Sequence, residues 1–427
     1  MRIFVIGQCT LHWGRMEFGN IGNFYIIKPM FEQLRRVFPK AEIATTMQFS
    51  KNFCNTYFIE TVPMELYYDF NSNSNLKNAI NEYDLVKRQA KPETEYIKEV
   101  SKADVVIDFS GDIWGDNADF LGKDRFATGC YKDLTAQALK PTVMIAGSPG
   151  PFTNNIELAK QTYKGFKFIS NREPISSHML QELGFDIRNT YTYACPSFLF
   201  TKSDDSQIEN VLKKHPFNNT KLNIGFILCG WNFKRAPFSA WPRDDYEYSN
   251  FVKLITTIIN EYDAHIYLLS HSNGFDIPPA TFKLKHGRDF PIVEQLHNIL
   301  KNSDVKNRIS LLDGIYTPEQ TKAIISHFDI LISGRMHGAV AGLSQCIPTV
   351  IIDYGHEPKA HKLKGFAEMV GMPNIICDPN DADALISNTK SIIDNKNEIH
   401  NILVARMQTI KNNAIKQFDC IAELISQ

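Results

Sequence analysis

Short apolar runs rich in β-branched residues recur along the chain, separated by stretches with a helical period. In the first half the runs predict strands at Arg2–Ile6, Glu42–Thr45, Val105–Phe109, Thr142–Ile145 and Lys167–Ser170. In the second half they predict strands at Leu222–Leu228, His265–Leu269, Ile309–Leu311, Ile330–Ser333 and Thr349–Asp353. Helical patterns fall between them, at Ile26–Val37, Glu93–Val100, Asp133–Ala138, Ile156–Tyr163 and Ser176–Leu183, then at Tyr248–Tyr262, Ile292–Asn302, Pro318–Phe328 and Gly338–Ser344. Buried strands alternating with helices mean parallel sheets covered on both faces. A polar stretch, Lys202–Asn223, separates the two series and precedes a fresh apolar run. The fold class expected is therefore α/β: two Rossmann-like parallel-sheet domains facing across a cleft, a GT-B-like arrangement. The boundaries expected are 1–205, 206–390 and a helical tail, 391–427.

The composition is that of an ordinary globular protein: 427 residues, 43% hydrophobic and 22% charged. Lys and Arg (46) nearly balance Asp and Glu (47), for a net charge of -1. A protein built to bind nucleic-acid phosphates carries a basic excess, so no nucleic-acid partner is expected. No apolar run reaches the ~18–20 residues of a transmembrane helix. The opening MRIFVIG reads as a first strand rather than a secretory signal. The cytoplasm is the expected compartment. Eight cysteines are scattered without a C-x-x-C pair, so reduced, mostly buried thiols are expected and no zinc ribbon.

Chemistry concentrates between Ile330 and Lys364. A strand ends in Gly334-Arg335-Met336-His337-Gly338 and a small-residue helix follows. Backbone N–H groups at such a helix start, Gly338 among them, together with the helix dipole, favour an anion. Arg335 adds a planar fork for phosphate or carboxylate, and His337 can act as general acid or base. The alternative is that Arg335 pairs with a core carboxylate and His337 caps the helix. From Ser333 to Lys364, Arg335, Lys359, Lys362 and Lys364 face Asp353 and Glu357, a local net of +2. The stretch HEPKAH (356–361) has the wrong spacing and a Pro, so it is not a zinc motif. No metal and no cofactor are expected.

In the first half, Val105–Asn117 runs from a strand into a turn containing Gly111 and Asp112. Gly111 lets a ligand approach the backbone. Asp112 is placed to accept hydrogen bonds from sugar hydroxyls or to act as a base; otherwise it is a turn former. Arg172-Glu173 follow another strand, where Arg172 reads either as a second anion clamp or as half of a surface pair with Glu173. No G-x-G-x-x-G, P-loop or G-x-S-x-G motif is present.

Taken together, Asn20–Asn23, Ser110–Asp112, Gly150–Phe152, Ser170–Ser176, Cys195–Phe198, Ser333–His337 and Ile351–Lys359 resemble the motif series of the polysaccharide pyruvyl transferase family. Three positions depart from it: Asn23 stands for Asp, Ser-Gly-Asp for Ser-Gly-Gly, and Cys195 for the Asp of D-P-x-F. The resemblance implies transfer of the enolpyruvyl group of phosphoenolpyruvate to a sugar of a cell-surface polysaccharide or its precursor, closing a pyruvate ketal. It implies His337 as the acid, Asp112 or Glu173 at the acceptor, Arg172 and Arg335 as clamps, and Lys359 on the donor carboxylate or phosphate. The competing reading is a GT-B-type glycosyltransferase using a nucleotide sugar. A third is a non-catalytic carbohydrate-binding relative. A lipid-linked acceptor would bring the protein to the inner membrane face. Trp231, Trp241 and Tyr246 would then stack on sugars or touch lipid, or else pack as an interdomain loop. The acceptor sugar and the oligomeric state are not legible in the sequence.

Overall fold

The computed structural model describes residues 1–90, 94–217, 220–235, 242–277 and 279–426. In chain order its strands are β1 (Arg2–Ile6), β2 (Glu42–Thr45), β3 (Ile59–Thr61), β4 (Val105–Asp108), β5 (Thr142–Gly147), β6 (Phe168–Asn171), β7 (Thr190–Thr192) and β8 (Leu222–Ile227). They continue with β9 (Ala264–Leu268), β10 (Asn273–Phe275), β11 (Leu284–His286), β12 (Ile309–Leu311), β13 (Ile330–Ser333), β14 (Thr349–Ile352) and β15 (Ile376–Cys377). All ten strands read from the sequence are present within a residue or two of their expected ends. Glu93, the expected first residue of one helix, lies outside the described residues; that helix begins at Glu95, capped by the Thr94 hydroxyl.

The chain forms two compact units. The first comprises Met1–Glu17, Ile27–Pro196 and Asn412–Gln427. Its seven-stranded sheet has the order β3-β2-β1-β4-β5-β6-β7, every pair parallel. β4, β5 and β6 are buried along their whole length, which explains why none shows an apolar–polar alternation. The order reverses between β1 and β4, so the loops after these two strands flank the switch point of the sheet.

The second unit comprises Phe18–Ile26 and Ser197–Lys411. Its six-stranded sheet has the order β12-β9-β8-β13-β14-β15, again parallel throughout, and reverses between β8 and β13. β10 and β11 form a separate antiparallel ribbon. The expected fold class, two Rossmann-like parallel-sheet domains, is what the chain forms.

The division differs from the continuous spans expected. Phe200 and Ile208, on either side of the expected boundary at 205, are both buried in the core of the second unit with Ile21, Tyr25, Ile227 and Tyr267. Apolar anchors within a polar stretch carry the chain into the second unit directly after Pro196. The tail is no separate body either. Its last helix, Lys396–Ser426, belongs to the second unit up to Lys411 and to the first from Asn412. In the first unit Gln417 accepts from the Ser170 hydroxyl (2.8 Å) and donates to the Ala194 carbonyl (3.1 Å).

Candidate functional site

In the first unit the switch point is built by β1 and β4. Asp108, the last residue of β4, is fully buried and accepts a hydrogen bond from the Ser110 hydroxyl (2.9 Å). The same hydroxyl oxygen accepts from the Gln8 backbone N–H (2.8 Å), tying the ends of β1 and β4 together. Gly111 adopts φ +60°, the left-handed region that a glycine enters at little cost. Its carbonyl accepts from the Ser148 N–H (3.0 Å).

The Ser148 hydroxyl in turn accepts from Nε of Arg172 (2.9 Å), and Nη2 of Arg172 lies 3.5 Å from Oδ1 of Asp112. The Arg172 side chain is 1% exposed, whereas Asp112 is 39% exposed. The turn thus presents a carboxylate to solvent above a buried cation. Gly111, Asp112 and Arg172, which lie on two loops of the sequence, are brought together, with Arg172 paired to Asp112.

Glu173 plays a different part from the one expected of it. It is fully buried and caps the helix Pro174–Glu182, accepting from the Ser176 N–H (3.0 Å) and from the Ser176 hydroxyl. Burial raises its pKa. Being buried, it is not half of a surface pair. Asp116, in the same sequence turn as Asp112, binds the Thr153 side chain and the backbone of the 153–154 turn.

In the second unit the switch point lies between β8 and β13. β13 ends at Ser333, Gly334 follows, and the helix Met336–Leu343 begins with Arg335 at its N-cap position. His337 and Gly338 therefore occupy its first turn. A Cβ on Gly334 would stand 1.9 Å from Oδ1 of Asn232, and one on Gly338 2.6 Å from the Ser333 hydroxyl, so both positions are closed to larger residues. Asn232 is a buried hub. Its amide accepts from the Cys229 N–H (2.9 Å) and faces the carbonyls of Gly334 (3.2 Å), Ile352 (3.3 Å) and Asp353 (3.2 Å). It locks together the carboxyl ends of β8, β13 and β14.

Arg335 forms a bidentate pair with Asp289, Nε to Oδ2 at 2.9 Å and Nη2 to Oδ1. Asp289 is fully buried. The sequence alternative of a core carboxylate partner is thus realised, and Nη1 is left as the remaining donor edge of the guanidinium. His271, in the loop after β9, is fully buried next to this pair, and neither ring nitrogen has a hydrogen-bond partner. Burial, with the Arg335 charge adding to it, lowers its pKa to about 3, so the ring is neutral.

His337 lies against Gly22, where an added Cβ would stand 2.8 Å from the imidazole Nδ1. Phe366 meets the ring edge-on, with centroids 6.3 Å apart. Asn20 closes the other side of this turn. Its side chain accepts from the Gly22 N–H (3.0 Å), and its backbone bridges to Ser272. Two of the sequence motifs, Asn20–Asn23 and Ser333–His337, therefore meet at one imidazole.

Lys359 is paired with Asp378 rather than standing as an open cation. Trp231 is stacked on Tyr354 (5.2 Å, 17°) and His356 (5.5 Å, 24°). Tyr246 is exposed, and Trp241 lies outside the described residues. Asp289, Asn232 and His271 were not read from the sequence. His271 and Asn232 follow β9 and β8, and the rule that ligands gather beyond strand carboxyl ends flags both loops. Nothing in the sequence marks Asp289. Among the described residues, no group of three or more His, Cys, Asp and Glu is placed to hold a metal ion.

The structure resembles solved proteins along its whole length at low sequence identity. A glycosyltransferase from Rickettsia africae covers 100% of this chain and 98% of its own, at 13% identity and a TM-score of 0.59. The Anabaena protein HepE, solved in complex with UDP, covers 100% of both chains at 12% identity and a TM-score of 0.58. A UDP-GlcNAc 2-epimerase from Neisseria meningitidis, bound to UDP-GlcNAc, covers 100% of both at 11% identity and a TM-score of 0.58. At these identities the likeness establishes the fold. No curated protein sequence matches the chain. The polysaccharide pyruvyl transferase family model matches residues 20–356, a span that begins at the Asn20 motif and contains every candidate residue described above except Lys359. The chain belongs to the polysaccharide pyruvyl transferase family.

Proposed function

We propose that the protein transfers the enolpyruvyl group of phosphoenolpyruvate to two hydroxyls of a sugar in a cell-surface polysaccharide or its precursor, forming a pyruvate ketal. The observation that carries this reading is the meeting of the Asn20–Asn23 and Ser333–His337 motifs at the His337 ring. The family's motifs converge on the one group there suited to protonating carbon.

Phosphoenolpyruvate is small and polyanionic, and the helix start at Met336 offers backbone N–H groups beside Nη1 of Arg335. His337 donates a proton to the methylene carbon, leaving positive character at C2. A sugar hydroxyl adds to C2 and loses its proton. A second hydroxyl then displaces phosphate, so the diol and the enol ester become a ketal and inorganic phosphate. In the first unit, Asp112 accepts the hydroxyl proton, with Nη2 of Arg172 3.5 Å from its carboxylate. Lys359 reaches the donor by exchanging its Asp378 contact for the donor carboxylate. Glu173, as a helix cap, supports Arg172 without touching the acceptor. The scheme uses no metal and no cofactor.

A nucleotide-sugar glycosyltransferase is the competing reading, supported by the UDP bound to the Anabaena neighbour. Phosphate release from phosphoenolpyruvate in the presence of a polysaccharide-precursor extract separates the two. The expected result is release by the wild type and a loss of at least about 100-fold in His337→Ala, the usual scale for removing a general acid. The fold should be intact by circular dichroism. A His337→Ala protein with near-wild-type release would refute the mechanism.

A further inference from the structure

Asp112 is not the only exposed group on the loop after β4. The turn Gly111–Ile113, which holds Asp112, packs against a second helical turn, Asp116–Leu121. Near the end of that turn Phe120 stands 74% exposed, with Leu121 beside it at 37%. One exposed apolar side chain is ordinary. Phe120 differs in how firmly it is held in water.

The turn that presents it is pinned along its length. Asp116 accepts from the Thr153 N–H (2.5 Å), the Thr153 hydroxyl and the Asn154 N–H (3.2 Å), and its own N–H donates to the Pro151 carbonyl (2.9 Å). Ala118 is fully buried in a cluster with Trp114, Phe126 and Phe152. Asp119 accepts from the Phe126 N–H (2.9 Å). The turn thus laces together two loops that carry family motifs, Ser110–Asp112 and Gly150–Phe152. An aromatic ring on so rigid a frame loses little further freedom when it is covered.

What covers it follows from its place and its neighbour. The loop lies at the carboxyl end of β4, at the reversal of the first sheet, where ligands of parallel sheets bind. The polar group open to solvent there is the Asp112 carboxylate, an acceptor for hydroxyl hydrogen bonds. A pyranose ring answers both features. It has hydroxyls at its rim, and a face lined by axial C–H bonds is an apolar surface that stacks on an aromatic ring. A protein or lipid partner calls for a broader apolar patch than Phe120 and a part-exposed Leu121.

We propose that Phe120 is a sugar-binding residue of the first unit, stacking on the apolar face of a hexopyranose whose hydroxyls reach Asp112. This rests on the proposed reaction in taking the sugar acceptor as the ligand of that unit, and it names the acceptor class: a hexopyranose with one ring face formed by C–H bonds.

Saturation-transfer NMR of the full chain with methyl β-glucopyranoside, methyl β-galactopyranoside and methyl α-mannopyranoside tests this without a donor. The wild type is expected to transfer saturation to the ring C–H protons of at least one of them. Phe120→Ser alters an exposed position, so its melting temperature should match the wild type while its affinity for that glycoside falls about tenfold. Phe120→Trp keeps an aromatic face and should retain the affinity. The proposal is overturned if the wild type transfers to none of the three glycosides, or if Phe120→Ser binds like the wild type. Phosphate release from phosphoenolpyruvate with the precursor extract separates it from the reaction. A wild type that binds a glycoside through Phe120 but releases no phosphate keeps the sugar site and refutes the ketal-forming reading.

Discussion

Arg335 and His337 stand two residues apart at the start of one helix, yet different neighbours hold them. The guanidinium is fixed by both oxygens of a fully buried Asp289, and the imidazole by the absence of a side chain at Gly22. Such a buried ion pair adds little to stability when intact, but removing one partner strands the other charge. Asp289→Ala should therefore destabilise the protein by about 3–5 kcal/mol, measured by urea unfolding, with Arg335 retained. A loss under ~1 kcal/mol, the range of an exposed pair, would show that the ion pair is open to solvent. Asp112 and Arg172 have the opposite arrangement, the carboxylate half-exposed and the cation buried. The carboxylate is thus the edge open to solvent, with the arginine buried behind it.

At the scale of elements, the loops at each sheet reversal are held by polar groups buried beneath them. Under the first loop, Asp108 and Asp133 are both fully buried, and Trp114 donates to Asp133 (3.4 Å). Burial pushes Asp108 up to about 7 against the opposing hydrogen bond from Ser110, and it pushes Asp133 well up too, helped by the Asp108 charge. The folded state thus holds these protons more tightly than the unfolded chain does. Stability is complete below the ordinary carboxylate pKa of ~4 and declines as pH rises through 7. The melting temperature should fall by several degrees from pH 5 to pH 8, and Asp108→Asn should flatten that slope. An unchanged slope in the variant would place the titration elsewhere. The sheets were legible in the sequence where they are buried on both faces: β1, β4, β5, β8, β13 and β14 read as predominantly apolar runs. The strands that were missed, β3, β7 and β15, are two or three residues long and lie at sheet edges, and β10 and β11 form a solvent-facing ribbon. Such strands bury too few side chains to leave a periodic signal. The strand-end motifs were legible for a related reason, since a strand-to-helix turn has local chemistry. Asp289 was not, because its partner lies 46 residues away and only the folded chain pairs them.

For the whole molecule, the common feature is that both sheets reverse their strand order and both reversals carry family motifs. In the first unit these are Ser110–Asp112, beside Arg172; in the second they are Ser333–His337, beside Asn20–Asn23. Ligands of open parallel sheets bind at such reversals. Neighbours that share the fold were solved with UDP or with UDP-GlcNAc, and a fold by itself does not fix a donor. No helix among the described residues is long and apolar enough to cross a membrane. The proposed donor is phosphoenolpyruvate, held at the Arg335 strand end. The most direct measurement is the melting-temperature shift of the wild type and of Arg335→Ala with phosphoenolpyruvate, UDP and GDP, each protein referred to its own unliganded value. A ligand at 100 times its Kd adds about 2.7 kcal/mol, a readily measured shift. The expected result is a shift with phosphoenolpyruvate that is lost in Arg335→Ala. A shift with UDP or GDP and none with phosphoenolpyruvate would contradict it.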